Sequence, residues 1–539
     1  MQLLKLDNVS LEFLDKVIFN KINFVFNKGD KIGIIGDNGT GKTSLFNIIF
    51  KKIEFNGNVE INNQNYGYLS QDDSFEELSL SISRKKEIEK LLLNEDIIAD
   101  IEQYNSLLEE YNALINDNIF EIENQLIKGF NFRKELYFKE QKEKLSGGET
   151  TKLRLIRLFS KEHDFYLLDE PTNHLDSSSK DFLVQKLIEI ESFILISHDV
   201  ELLNKVCNRI VEIKKSNINS YSGNYDVFLS ERQKENDNVL KIQEIHNKKK
   251  KKIENEINKQ ENRVKGSQNK ARSILAKSGG ILKSDDREMY HVNKSKMQKF
   301  EDIKNKIVKK RTEELNNLNT PELDNISSIK IKYFNFQEPN NTVLQIDNLN
   351  INLDNFKLYI DKIEVEKKDK VAILGDNGSG KSTLLNTICG LNTKYSGKII
   401  LGSKVKIGYL GQKNKDFNFE NSLLDEIKEV NTNLDESDLR KYLGKFLFRK
   451  NDAFKKIKDL SGGERIRFGL LKVILQGANF LILDEPSNHL DIKSKDILAE
   501  ALKDFLGSIM VVSHDKYFID KFVNKKIYLE NGRVTKSEF

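Results

Sequence analysis

Cysteine is nearly missing from this 539-residue chain, which has two, Cys207 and Cys389, far apart in sequence. Neither a disulfide framework nor a cysteine zinc site can be assembled from them, and the count fits a reducing compartment such as the cytoplasm. No run approaches the roughly 18 consecutive apolar residues that a membrane-spanning helix needs. The opening MQLLKLDNVS lacks a basic stretch followed by an apolar one and lacks a small-residue cleavage site, which predicts that the chain is not exported. A large net charge is missing too: 87 Lys+Arg against 83 Asp+Glu leaves +4. Spread evenly, that balance excludes a uniformly basic protein that coats nucleic acid. What the chain has is length, enough for roughly three or four domains, and 38% hydrophobic residues, enough to build cores.

The length is organised as a repeat. GDNGTGKT at 36–43 returns as GDNGSGKS at 375–382, LSGGE at 145–149 as the same string at 460–464, and LLDEPTNHLD as LILDEPSNHLD. ISHD at 196–199 returns as VSHD at 512–515, and Gln71 is echoed by Gln412. The offset is 339 at the glycine-rich loops and 315 at the LSGGE strings, so the first copy carries about 25 extra residues between Gln71 and Ser146. The Leu/Ile/Glu/Lys stretch there has helical periodicity and no Pro or Gly, which predicts a helical arm over about residues 83–120. The expectation is α/β: two tandem P-loop ATPase domains, 1–229 and 327–539, joined by a helical hairpin over 230–320.

Each motif has a chemical reason. An apolar strand, GxxxxGK[ST] and then an apolar helix form a phosphate-binding loop. The candidates are Gly36, Asp37, Asn38, Gly39, Thr40, Gly41, Lys42, Thr43 and Ser44, and in the second copy Gly375, Asp376, Asn377, Gly378, Ser379, Gly380, Lys381, Ser382 and Thr383. Glycines let backbone N–H groups curl around phosphate oxygens, Lys42 and Lys381 should reach the β- and γ-phosphates, and the Thr43 and Ser382 hydroxyls should meet Mg²⁺. The strands FYLLDE and FLILDE each end in two carboxylates, and burying unpaired charge costs several kcal/mol, roughly. A metal ion explains Asp169 and Asp484; Glu170 and Glu485 are then placed to polarise the attacking water. His198 and His514 close the next apolar strands, where a side chain can touch the γ-phosphate.

P-loop, Gln, LSGGE, DEP and SHD, in this order and twice over, resemble the nucleotide-binding domain of ATP-binding-cassette (ABC) proteins. The resemblance implies head-to-tail pairing of the two domains within one monomer. One ATP would lie between Gly36–Thr43 and the signature Ser461-Gly462-Gly463-Glu464, the other between Gly375–Ser382 and Ser146-Gly147-Gly148-Glu149. It implies Gln71 and Gln412 as further Mg²⁺ ligands. It also implies an aromatic against adenine, which Phe13 supplies in the first copy; the second copy has Leu353 at the matching place, with Phe356 as an alternative. Asn173-His174 and Asn488-His489 after DEP[TS], together with the arm, resemble the ABC-F subfamily.

The segment between the copies holds the charge that the total conceals. Residues 241–310 contain 21 Lys+Arg and 9 Asp+Glu, a net +12 that leaves −8 for the rest. Apolar residues at Ile242, Ile245, Ile253 and Ile257, and on the return at Met289, Val292, Phe300, Ile303 and Ile307, predict two antiparallel helices of about 30–35 residues and about 45–50 Å. A tip over about 264–288 is expected to start near Gly266. The basic run Lys248–Lys252 points to a polyphosphate partner, and the tip residues Arg272, Ser273, Ile274, Leu275 and Lys277 mix charge with apolar groups suited to pressing on structured RNA. The ABC-F resemblance implies binding to the 70S ribosome, with the linker reaching from the exit-tRNA site along 23S rRNA and P-site tRNA. The long linker resembles the antibiotic-resistance members, which implies protection against pleuromutilins, lincosamides and streptogramin A. A housekeeping ABC-F translation factor and the ATPase subunit of a transporter are the alternatives.

Overall fold

The computed structural model describes residues 1–13, 16–62, 65–70, 88, 91, 104–108, 119–137, 145–277, 295, 298–299, 301–310, 313, 329, 338–353, 356–411, 417–432, 434–448, 451–488 and 490–538. Two compact units result: Met1–Phe228 together with Ser327–Phe539, and Leu229–Ile326.

The first unit is built around two copies of one sheet. In the first copy the strand order is Tyr66–Leu69, Phe165–Asp169, Phe193–Ile196, Lys31–Ile35, Arg209–Lys214, Asn217–Ser222. The second copy repeats it as Ile407–Leu410, Phe480–Asp484, Ser508–Val512, Lys370–Leu374, Lys525–Glu530, Arg533–Glu538. Each is parallel apart from its last strand, which forms an antiparallel hairpin with its neighbour. The central strands FYLLD and FLILD are buried at every position, as parallel strands covered on both faces must be. Their period of two sorts side chains between layers. Phe165, Leu167, Ile194 and Ile196 join one core, while Tyr166, Leu168, Phe193 and Leu195 join another. Antiparallel strands Gln2–Phe13, Lys16–Asn27 and Asn56–Ile61 flank the first copy. Their counterparts Thr342–Leu353, Phe356–Glu366 and Ser396–Leu401 join the second sheet. The Leu168 core also takes in Ile492 and the partly buried Tyr517 from the second copy, so the two copies share apolar packing.

Most of the arm expected over 83–120 lies outside the described residues; within it residues 88, 91, 104–108 and 119–120 are helical. The linker departs from expectation. A single helix, Tyr225–Lys277, runs for 53 residues, about 80 Å at 1.5 Å per residue, and passes through Gly266 without a break. One glycine costs a helix interior only about 1 kcal/mol, and the flanking Lys, Gln, Ala and Arg are good helix formers. The tip therefore does not begin near 264, and the backbone of Arg272–Lys277 belongs to this helix; residues 278–294 and the side chains of 272–277 lie outside the described residues. The half-buried stripe is also not the expected one. Arg232, Asn236, Val239, Gln243 and His246 form it at alternating steps of four and three, whereas Ile242, Ile245 and Ile303 are exposed. Ile307 is half-buried as expected, while Met289, Val292 and Phe300 and the side chains of Ile253 and Ile257 lie outside the described residues.

Candidate active site

Each P-loop follows a buried strand and turns through a glycine into a helix. Gly41 (φ 100°) and Gly380 (φ 102°) occupy the position before helices Lys42–Ile49 and Lys381–Ile388. The left-handed turn there favours glycine, and space also requires it. A Cβ on Gly41 would lie 2.5 Å from Ile18 Cγ2, and one on Gly380 would lie 2.8 Å from the Phe356 ring. Lys42 Nζ donates to the carbonyls of Gly36 (2.8 Å) and Asp37 (3.2 Å), and Lys381 Nζ to those of Gly375 (2.7 Å) and Asp376 (2.8 Å). Burial holds both amines below the usual lysine range, against nearby acids that raise them. The loop thus gathers N–H donors, a helix N-terminus and one inward cation, which is the equipment that binds phosphate.

The acids stand at the adjacent strand ends. Glu170 and Glu485 have φ of 50° and 52°, a left-handed conformation that costs a residue with a Cβ about 1–3 kcal/mol. It is enforced by hydrogen bonds from their own N–H groups to the carbonyls of Ile196 and Val512, each 2.9 Å. His198 N–H donates to Glu170 Oε2 (3.3 Å), and its Nε2 is 3.5 Å from Oε1. His514 Nε2 is 3.6 Å from Glu485 Oε1. Burial pushes the Glu485 carboxyl up to about 7, and Glu170 shifts the same way through burial and then the Asp169 charge. Burial and Lys381 hold the His514 imidazole down at about 3, and burial and Lys42 lower His198. Both rings are therefore neutral near pH 7, suited to hydrogen bonding rather than ion pairing.

Asp169 and Asp484 are buried beside the P-loops. Asp484 is hydrogen bonded to Ser382, and its Oδ1 is buried without a hydrogen-bond partner. A carboxylate and a hydroxyl with unused acceptor capacity fit Mg²⁺, which keeps several waters and takes its remaining oxygens from phosphate. Among the described residues, no group of three or more His, Cys, Asp or Glu is arranged to hold a metal by itself. Gln71 and Gln412 lie outside the described residues, as does His489.

Both signatures open helices, Gly147–Phe159 and Gly462–Leu475, through capping boxes: Ser146 with Glu149 and Ser461 with Glu464. The glutamates are engaged there and in ion pairs with Arg133 and Lys455. What each motif offers a ligand is therefore the helix N-terminus. Ser146, Gly148 and Glu149 line a cavity of about 1270 Å³ together with Gly378, Gly380–Thr383, Glu485 and His514. Gly41–Ser44, Glu170 and His198 of the first copy line the same cavity. Gly148 has no room for a side chain, since a Cβ would stand 2.6 Å from the His174 carbonyl. On the other side, Gly463 packs by Leu490 and Ser494, which flank Asp491, and Asp491 Oδ2 accepts the Asn38 N–H (2.9 Å). Each P-loop is thus brought to the opposite domain.

At the adenine end the copies differ. Phe13 ends its strand and is 49% exposed, and Ile18 is the side chain against Gly41. In the second copy Leu353 and Phe356 both line the cavity, and the Phe356 ring lies on Gly380. Sequence reasoning did not single out Asp176, Asp491, Lys180 or Lys495, all of which face the opposite domain or its charges. The aspartate closing the NHLD string was an available signal; the lysines carried none.

The sequence profile described as "ABC transporter" matches residues 19–173 and 360–488. The ATP-binding protein Uup of Buchnera aphidicola subsp. Schizaphis graminum is 31% identical over 97% of this chain and 80% of its own length. The ribosome protection protein VmlR of Bacillus subtilis is 29% identical over 99% of this chain and 88% of its own. Among solved structures the RNase-L inhibitor matches with a TM-score of 0.56 over 98% of this chain and 90% of that one, at 18% identity, a likeness of fold. The chain belongs to the ATP-binding-cassette family. It has two tandem ABC ATPase domains of α/β fold that bind and hydrolyse ATP, and its relatives include an ABC transporter F family member of Arabidopsis thaliana. Among the described residues no helix is long and apolar enough to cross a membrane.

Proposed function

We propose that this chain is a cytoplasmic ribosome-binding ABC-F ATPase. Its hairpin would enter the large subunit from the exit-tRNA site, touch 23S rRNA and P-site tRNA, and protect the peptidyl-transferase centre from pleuromutilins, lincosamides and streptogramin A. The observation that carries this reading is the helix Tyr225–Lys277: Lys248–Lys252 are all exposed on it, within a segment of net +12. Ion pairing along a helix cannot neutralise such an excess, whereas RNA phosphates do, with release of counterions. The name of the relative VmlR supports the protective role.

In the working cycle Lys42 and Lys381 hold the phosphates. Thr43, Asp169 and Gln71, and likewise Ser382, Asp484 and Gln412, would hold Mg²⁺, which when bound neutralises developing phosphate charge. Glu170 and Glu485 polarise water, while His198 and His514 bond the γ-phosphate. Phe13, and Leu353 or Phe356, pack on adenine. The Ser146 and Ser461 helices close over the opposite nucleotide, so ATP favours the paired state and hydrolysis loosens it. The Glu170→Gln/Glu485→Gln variant should bind ATP without turnover and co-sediment with 70S ribosomes in ATP at moderate salt. If it stays in the supernatant, the ribosome reading fails.

A second reading, a housekeeping translation factor of the same subfamily, is favoured by similar identity to relatives not named for protection. Deletion separates the two: sensitisation to the three drug classes supports protection, whereas altered translation with unchanged drug sensitivity supports housekeeping.

A further inference from the structure

We propose that, of the equivalent lysines Lys180 and Lys495, Lys495 is a positioning residue that makes hydrolysis at the Glu170 site depend on the seating of the opposite domain. Each stands one helical turn past a capping aspartate: its N–H donates to the carbonyl of Asp176 or Asp491 at 3.0 Å. That register carries both amines into the ATP cavity. There they meet Asp199 and Asp515, each the residue after a catalytic-strand histidine.

Lys495 Nζ pairs with Asp515 of its own domain at 2.6 Å. It also crosses the domain boundary to donate to the His198 carbonyl at 2.8 Å. Lys180 pairs with Asp199 of its own domain at 2.9 Å and feels the charges of Asp515 and Glu485 across the boundary without a hydrogen bond to either. Two lysines and two aspartates thus surround the junction of the two active sites. Asp199 and Asp515 also cap the helices that follow them, accepting the N–H groups of Leu202 (3.1 Å) and Phe518 (3.0 Å). These aspartates are fixed points, and Lys495 reports whether the opposite domain is present.

The route from Lys495 to chemistry is short. It holds the carbonyl of His198, whose N–H holds Glu170 Oε2 and whose ring lies against Oε1. When the domains part, His198 loses this donor and the buried Lys495 loses one of its two acceptors. The cation is costly without them, so separation and loss of the aligned glutamate occur together. A lysine serving only its own domain would need Asp515 alone.

The test uses the full chain in two backgrounds, Glu485→Gln, which leaves the Glu170 site, and Glu170→Gln, which leaves the Glu485 site. In the first, Lys495→Met should lower the single-turnover hydrolysis rate about tenfold, near 1.4 kcal/mol, while the apparent KM for MgATP changes less than about twofold. Lys495→Arg, which keeps a cationic donor, should recover most of the loss. In the second background the fall from Lys495→Met should be at least about threefold smaller. Equal falls in both backgrounds, no fall in the first, or failure of Lys495→Arg to recover activity overturns the proposal. If Lys495→Met melts because Asp515 is left alone, Lys495→Met/Asp515→Asn removes both charges and carries the test. A rate still about tenfold low supports positioning, and a restored rate means the lysine only neutralised Asp515.

Discussion

The two ATP sites have the same motifs, yet they are joined to the opposite domain by different bonds. At the first, Asp491 reaches across to the Asn38 N–H, Lys493 sits 3.6 Å from Asp37, and Lys495 holds the His198 carbonyl. At the second, the corresponding Asp176 is taken by Lys152 of its own domain in a fully buried pair at 2.7 Å, and the link is instead Asn377 Nδ2 to the His174 carbonyl at 3.1 Å. One substitution between the copies accounts for much of this. Where the first signature helix has Lys152, the second has Arg467, whose guanidinium feels Asp491 only electrostatically. Asp491 is left free to bond the P-loop. A duplicated motif fixes which chemistry is available; neighbours outside the motif decide which partner it serves.

The comparison can be broken most severely at the glutamates. We expect Glu170→Gln/Glu485→Gln to lower steady-state ATPase by ~10²–10⁴-fold. Of the single variants, Glu170→Gln should remove the larger share, because its site has more bonds across the boundary. Equal single losses would mean that these contacts do not set turnover. Next in size is stability. Asp176→Ala strands the buried Lys152 charge, and denaturant unfolding should show a loss of about 3–5 kcal/mol. The matched Asp491→Ala should lose a helix cap, about 0.5–2 kcal/mol, together with the bond to the Asn38 N–H, and so should weaken nucleotide binding at the first site more than Asp176→Ala does at the second. The smallest contrast is aromatic. Phe356→Ala should weaken ATP binding by about 1–3 kcal/mol if the ring stacks on adenine as it does on nucleic-acid bases, and nucleotide titration of each single-site variant reads this directly. Phe13→Ala should cost less, since Phe13 is half exposed and Ile18 lies on the loop.

Much of this was legible in the sequence: the repeat, the P-loops, the acids at strand ends and the α/β alternation all follow from strings whose chemistry admits few alternatives. What was not legible depended on partners distant in sequence. Lys180 and Lys495 read as ordinary first-turn lysines, because only tertiary pairing reveals their acceptors. Asp176 and Asp491 look alike as helix caps, and nothing in the NHLD string tells that one is claimed by Lys152. Gly266 alone suggests a break, yet the helix runs through it, because one glycine costs little in a stretch that also holds Lys, Gln, Ala and Arg. Its half-buried stripe is mostly polar, with Asn236, Gln243 and His246, so hydrophobic periodicity gives no sign of it and the isoleucines point to another face.

The left-handed turn at Glu170 and Glu485 carries a consequence for how such a chain evolves or is engineered. Each glutamate holds a conformation that glycine adopts without strain, and each places a carboxylate where burial disfavours its charge. Replacing either by glycine should raise the melting temperature while abolishing turnover at that site. A selection for heat resistance or soluble yield alone would therefore drift toward dead enzyme, and only a screen that also demands hydrolysis would keep the strained residues in place.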